Sequence, residues 1–193
     1  MNKLIDSQLI LASKSPRRKD LLKKIGLTFK VKSSKVYEDF NIKLLPADFV
    51  SHYAKMKAES VSKVNPNYYV IGADTIVVCN DKILGKPNDK NDSYRMLSSL
   101  SGKTHKVYTG VSIQHNNHKI DKTFYDVTDV SINTLTNNDI CYYIDNYKPF
   151  DKAGSYGIQG FFAVHINKIN GCFYNVMGLP LSSLYYHFSR IVK

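Results

Sequence analysis

The chain has 193 residues and 43% hydrophobic content, enough for one sizeable core over residues 1–193 and too little for several independent domains. No apolar run is long enough to span a bilayer, the short one after Lys3 is broken at Asp6, Ser7 and Gln8 too early for a secretory signal, and the scattered Cys79, Cys141 and Cys172 form neither a disulfide framework nor a zinc pattern, so a cytoplasmic protein is expected. The net charge of +11 draws polyanions at low salt, but the basic residues are spread along the chain without a zinc-finger or RGG pattern, so no specific nucleic-acid partner is expected.

Residues 8–12 are predicted as a strand that runs into Ser13-Lys14-Ser15-Pro16-Arg17-Arg18. Ser15 is a good N-cap, Pro16 suits the first helical position, and Gly26 can end a helix over 16–25 after Leu21, Leu22 and Ile25. A strand, a tight turn and a helix start aim backbone N–H groups and the helix dipole at one spot, where Ser13, Ser15, Arg17 and Arg18 add donors suited to phosphate oxygens. A solvated, ordinarily capped helix with two surface arginines is the bland alternative.

A strand over 28–34 follows, with Glu38 and Asp39 in the loop beyond it. From Pro46 to Val64 the apolar residues Phe49, Val50, Tyr53, Ala54, Ala58 and Val61 recur at helical spacing, which leaves Lys57 at the edge of the buried stripe. Tyr68 to Cys79 is predicted as a central strand, turning at Asn80-Asp81 into Lys82 to Leu84. A helix over 89–100 ends before Gly102, and strands over 105–115 and 118–134 form a hairpin turning at Asn116-Asn117. A helix over 136–146, a glycine-rich loop over 151–160, a strand over 161–170 and a last helix after Pro180 complete the chain. Helices mixed with parallel-capable strands and a long hairpin predict an α/β fold with a mixed, strongly twisted sheet.

Asp74 lies amid Val70, Ile71, Ile76, Val77 and Val78, where an ionised carboxylate is costly unless it is paired, hydrogen-bonded or metal-bound. It caps a turn, pairs with a lysine, or does chemistry. Gly102-Lys103-Thr104 imitates the end of a P-loop, but Leu97 stands where the first glycine belongs, which excludes that cradle. The histidines lack the spacing of a transition-metal centre. In the loop from Gly154 to Gly160, Gln159 offers one donor and one acceptor face, a match for the edge of a pyrimidine ring, although a solvated glutamine is the default.

The Ser13-to-Arg18 segment resembles the opening motif of the Maf family of nucleotide pyrophosphatases. The likeness continues through Ile71-Gly72-Ala73-Asp74-Thr75, Ile83-Leu84-Gly85-Lys86-Pro87, Leu100 to His105, Val107-Tyr108-Thr109-Gly110, Asp151 to Gly160, and Asn175-Val176-Met177-Gly178-Leu179-Pro180-Leu181, in the family's order and spacing. The resemblance implies two lobes around a central cleft, similar to the inosine triphosphatases, and hydrolysis of nucleoside triphosphates to the monophosphate and pyrophosphate as a house-cleaning activity. It implies Asp74 as the base that activates water, Ser13, Arg17 and Arg18 on the phosphate chain, and Lys57, Lys86 and Lys152 as further contacts. It further implies a divalent cation, Mg²⁺ or Mn²⁺, held by Glu38, Asp74 and Asp151. Tyr37 departs from an acidic position common in the family, which leaves Asp39 as the alternative to Glu38. Thr75, Gln159 and Arg17 resemble the branch acting on dTTP, UTP and modified pyrimidine nucleotides. A 7-methyl-GTP pyrophosphatase and a basic nucleic-acid-binding or division-associated protein are the alternatives. Homodimers are usual for the family, and membranes play no part.

Overall fold

The computed structural model describes residues 8–192, so the interrupted apolar stretch after Lys3 lies outside it. Strand β1 (Leu9–Leu11) is wholly buried and leads into α1 (Pro16–Lys24). Ser15 caps that helix by accepting from the Arg18 N–H at 3.4 Å, with Pro16 at the first position and Gly26 at φ 75° closing the last turn. β2 (Lys30–Val31) is far shorter than the predicted strand. It pairs in parallel with Ile10 and Leu11 of a three-residue β1, whose length limits the ladder available to it.

Helix α2 (Pro46–Ser62) buries the predicted stripe, and β3 (Tyr69–Cys79) runs parallel to β1 with Leu9 opposite Tyr69. β4 (Lys82–Leu84) folds back on β3 through Asn80 and Asp81, both at positive φ as a two-residue hairpin turn requires. Helix α3 (Lys90–Leu100) is capped by Asp89. Strands β5 (Thr104–His115) and β6 (Ile120–Ile132) form the hairpin, but its left-handed residue is Lys119 and neither asparagine adopts that conformation. Helix α4 (Asn137–Tyr147) starts at a Thr136–Asp139 capping box. β7 (Ile166–Asn170), the short helix α5 (Phe173–Val176) and helix α6 (Leu181–Ile191) end the described chain.

The predicted strand over 161–170 is corrected: Phe161–His165 is a 3₁₀ turn, and only Ile166–Asn170 is extended. The rings of Phe161 and Phe162 both contact His165, at 5.9 and 5.4 Å between centroids. Contacts over three and four residues need a helical turn, and an extended strand could not make them. The mixed seven-stranded sheet has the order β2-β1-β3-β5-β6-β7, with β4 on β3, and β7 antiparallel to β6.

The described chain forms two compact units: residues 8–74, 109–126 and 178–192, and residues 75–108 and 127–177. In the first, Ile10, Ala12, Ala58, Val61 and Val70 pack α2 against the sheet. In the second, Val77, Leu97, Leu100, Val107, Val130, Ile144 and Phe162 belong to one core. Two glycines let α2 lie directly on the first unit's strands. A Cβ on Gly72 would collide with the Ala54 carbonyl and the Ala58 amide, and one on Gly110 with the Val50 carbonyl. These are backbone atoms that cannot swing aside. Gly72→Ala is therefore expected to cost about 2–3 kcal/mol of stability, read as a lower urea midpoint at unchanged slope.

Candidate active site

Asp74 is the last residue of the first unit's β3 segment and only 3% exposed. Side chains alternate along a strand, so Asp74 points to the same side as Gly72, the side on which α2 rests. Lys57, beside the Ala58 that touches Gly72, is thereby carried to the carboxylate. Its Nζ lies 2.6 Å from Asp74 Oδ1 and 2.5 Å from Glu38 Oε1. The Lys57 ammonium thus joins two acids, one of them buried.

Glu38 is brought there by the loop that follows β2. The Asp39 N–H donates to the Tyr53 hydroxyl at 2.7 Å, and that hydroxyl donates to the Asp39 carbonyl at 3.1 Å, which ties the loop to α2. The Asp39 carboxylate accepts from Asn41 and holds the local turn. Glu38 is therefore the acid that shares Lys57 with Asp74.

Burial raises the Asp74 carboxyl above the usual carboxylate range; Lys57 opposes that rise, Glu38 adds to it, and Arg18 also opposes it. Asp74 Oδ2 is buried without a hydrogen-bond partner. Arg18 is fixed in the same neighbourhood: its Nε donates to the Gly178 carbonyl at 2.7 Å and its Nη1 to Ser13 Oγ at 3.2 Å. Burial lowers the Arg18 pKa, while the charges of Asp74 and Glu38 hold it up. Ser13 Oγ also accepts the Ser15 N–H at 3.2 Å, so the turn before α1 is closed on itself. Ser13, Ser15, Arg17, Arg18, Glu38, Lys57 and Asp74, all expected from the sequence, belong to the first unit, where bonds join Ser13, Ser15 and Arg18 in one group and Glu38, Lys57 and Asp74 in another. It places Lys57 between carboxylates, a position that the phosphate-contact expectation did not foresee.

Thr75, Lys86, Asp151, Lys152 and Gln159 belong to the second unit. Lys152 Nζ lies 2.5 Å from Asp151 Oδ1, and Gly157 leaves room for the Lys152 stem to cross the loop. Lys86 and Gln159 are exposed. Among the described residues, no group of three or more His, Cys, Asp or Glu side chains gathers as a metal cage.

Residues 8–191 match the family model described as Maf-like protein, across both units. The chain belongs to the Maf family. A dTTP/UTP pyrophosphatase of Bacillus pumilus is 49% identical over 91% of this chain and 92% of its own length. One from Carboxydothermus hydrogenoformans is 45% identical over 92% and 95%. Among solved structures, a HAM1 protein from Coxiella burnetii is similar at 12% identity over 65% of this chain and 73% of that one, with a TM-score of 0.46.

Two features of this Maf-family chain escaped the sequence reading. Gly178, whose carbonyl receives Arg18, lies 160 residues away in sequence, and no local signal could connect the two. His105 was legible in principle, because the alternation along β5 puts it on the buried face with Val107 and Thr109. Its Nε2 lies 2.7 Å from the buried Tyr156 hydroxyl, its Nδ1 has no hydrogen-bond partner, and burial lowers its pKa to about 4. Between that value and the ordinary one near 6.5, the unfolded chain binds a proton that the folded chain refuses. The resulting stability is complete above pH 6.5 and is lost as the pH falls toward about 4, at roughly 1.4 kcal/mol per unit. Acidification from pH 7 to 4.5 is expected to lower the thermal midpoint more in the wild type than in His105→Gln.

Proposed function

We propose that the protein hydrolyses dTTP, UTP and modified pyrimidine nucleoside triphosphates between the α and β phosphates, releasing the monophosphate and pyrophosphate. The observation that carries this reading is the buried Asp74 carboxylate, held by Lys57 beside Arg18 and Ser13. The names of the similar curated proteins agree with it. Asp74 acts as the base. Its unpartnered Oδ2 accepts the proton of the attacking water, and Lys57 favours the ionised form that can do so.

Displacement at phosphorus gathers charge on the phosphoryl oxygens, so the site needs fixed cations and donors rather than a covalent nucleophile. Arg17, Arg18, Ser13 and the N-terminus of α1 hold the phosphate chain. Arg18 enters this role already oriented by Gly178 and Ser13, so little rotamer freedom is lost on binding. Lys86 and Lys152 add positive charge, and Thr75 and Gln159 read the pyrimidine.

The donor set fits a hard divalent cation. Glu38 and Asp74 supply carboxylate oxygens only, the hard donors such an ion prefers, and there is no all-protein cage among the described residues. Mg²⁺ typically takes one or two carboxylates and completes its shell with water and substrate phosphate. Glu38 and Asp74 would hold such an ion, while Asp151 belongs to the second unit and pairs there with Lys152. When bound, the ion supplies charge neutralisation on the phosphates and acidifies water. A panel of dTTP, UTP, CTP and 7-methyl-GTP, assayed for pyrophosphate with and without Mg²⁺ or Mn²⁺, tests the reading. Pyrimidine turnover that requires the added metal is expected, and a marked preference for the methylated purine would overturn the pyrimidine assignment.

A further inference from the structure

The segment from Lys152 to Gly160 carries the proposed base reader, Gln159, yet its backbone takes a costly path. Gly154 and Ser155 are both left-handed, at φ 65° and 60°, and a serine there costs on the order of 1 kcal/mol or more unless its surroundings impose it. They do so at four successive residues. The Gly154 N–H donates to the Gly85 carbonyl at 3.0 Å, and Ser155 Oγ lies 2.5 Å from Ser93 Oγ on α3. The Tyr156 hydroxyl meets His105 on β5, and the Gly157 N–H donates to the Tyr143 hydroxyl on α4 at 3.2 Å.

Three of these contacts use groups whose polarity is satisfied cheaply. The His105–Tyr156 contact differs, because it keeps an imidazole in the core with Nδ1 unpartnered, at an expense that an apolar residue on the same face would avoid. Its return is orientation, since it anchors the ring three positions before the exposed Gln159. We propose that His105 and Tyr156 are positioning residues for nucleobase selection: their hydrogen bond pre-sets the 153–160 loop so that Gln159 presents its amide to the pyrimidine. This rests on the nucleotide reading given above. Neither residue touches the reacting atoms.

Tyr156→Phe removes only the hydroxyl and keeps the ring contacts with His105 and Phe162, at 5.3 and 5.1 Å between centroids. The expected result is a rise of about tenfold in KM for dTTP and UTP with kcat within about twofold, and a matching loss of selectivity over CTP. His105→Leu should behave like Tyr156→Phe. His105→Gln, whose amide nitrogen can replace Nε2, should restore most of the selectivity. Amide exchange at 153–160 in the nucleotide-free protein should quicken in Tyr156→Phe and His105→Leu and stay slow in His105→Gln. A lowered thermal midpoint with wild-type KM and selectivity would reduce the pair to packing and overturn the proposal. Failure of the wild type to hydrolyse dTTP or UTP would sink the nucleotide reading itself. Unchanged loop exchange in Tyr156→Phe would sink the positioning bond whatever the substrate.

Discussion

Asp74→Asn is expected to lower kcat by about 10²–10⁴-fold, the contribution of a positioned general base, while nucleotide affinity and fold are retained. The amide preserves the shape of the side chain but cannot accept a proton from water. The fold should tolerate the change because burial already disfavours the charge: the Asp74 pKa is raised, so at neutral pH the ionised form is less at home in the folded chain than in the unfolded one. Lys57 keeps Glu38 as its partner. A thermal midpoint equal to or above wild type, with nucleotide still bound and pyrophosphate release all but lost, is the expected combination. Turnover within about tenfold of wild type would remove Asp74 from the proton transfer.

Lys57→Met is expected to be the more damaging change to the fold. It strips the shared counter-ion from two acids at once, so that the buried Asp74 must either stay unpaired or take up a proton, a loss of about 3 kcal/mol by analogy with broken buried pairs. The same substitution moves the acid limb of kcat/KM to higher pH, because Lys57 pulls the Asp74 pKa down and its removal releases that pull. More of the base is then protonated at neutral pH, and kcat falls. In an Asp74→Asn background the stability cost of Lys57→Met should shrink, because the buried charge it abandons is gone. An unmoved acid limb would show that Lys57 does not tune the base.

The local chemistry of the first turn was readable from the sequence because each signal acts on its immediate neighbours. Ser15 capping α1, Pro16 at its first position and Gly26 at its end need only four or five residues of context. The stripe on α2 was equally plain, and it put Lys57 at the margin of the core. What the sequence left hidden was the partner of that lysine. The Glu38–Lys57–Asp74 bridge joins a loop, a helix and a strand, and only the close passage of α2 over Gly72 brings them together. Phe161 to His165 misled for a different reason: aromatic runs favour strands, but here Phe161 stacks on Tyr147 and Phe162 packs tilted against Tyr143 of α4, which the tighter turn permits. Membership of the Maf family was legible in the motif blocks, and residues 8–191 bear it out.

The interleaving of the two units along the chain has a consequence for biosynthesis. The first unit needs Leu9 at one end and Leu184 and Phe188 at the other, so it stays unfinished until α6 has been synthesised. During translation β1 and β3 can pair early, but the residues that α6 will cover remain exposed to solvent and to other nascent chains. A domain built from contiguous sequence can close soon after it emerges. This one reaches its full set of contacts only late, and truncation before Leu181 would leave the Asp74 carboxylate in a unit that lacks its last helix.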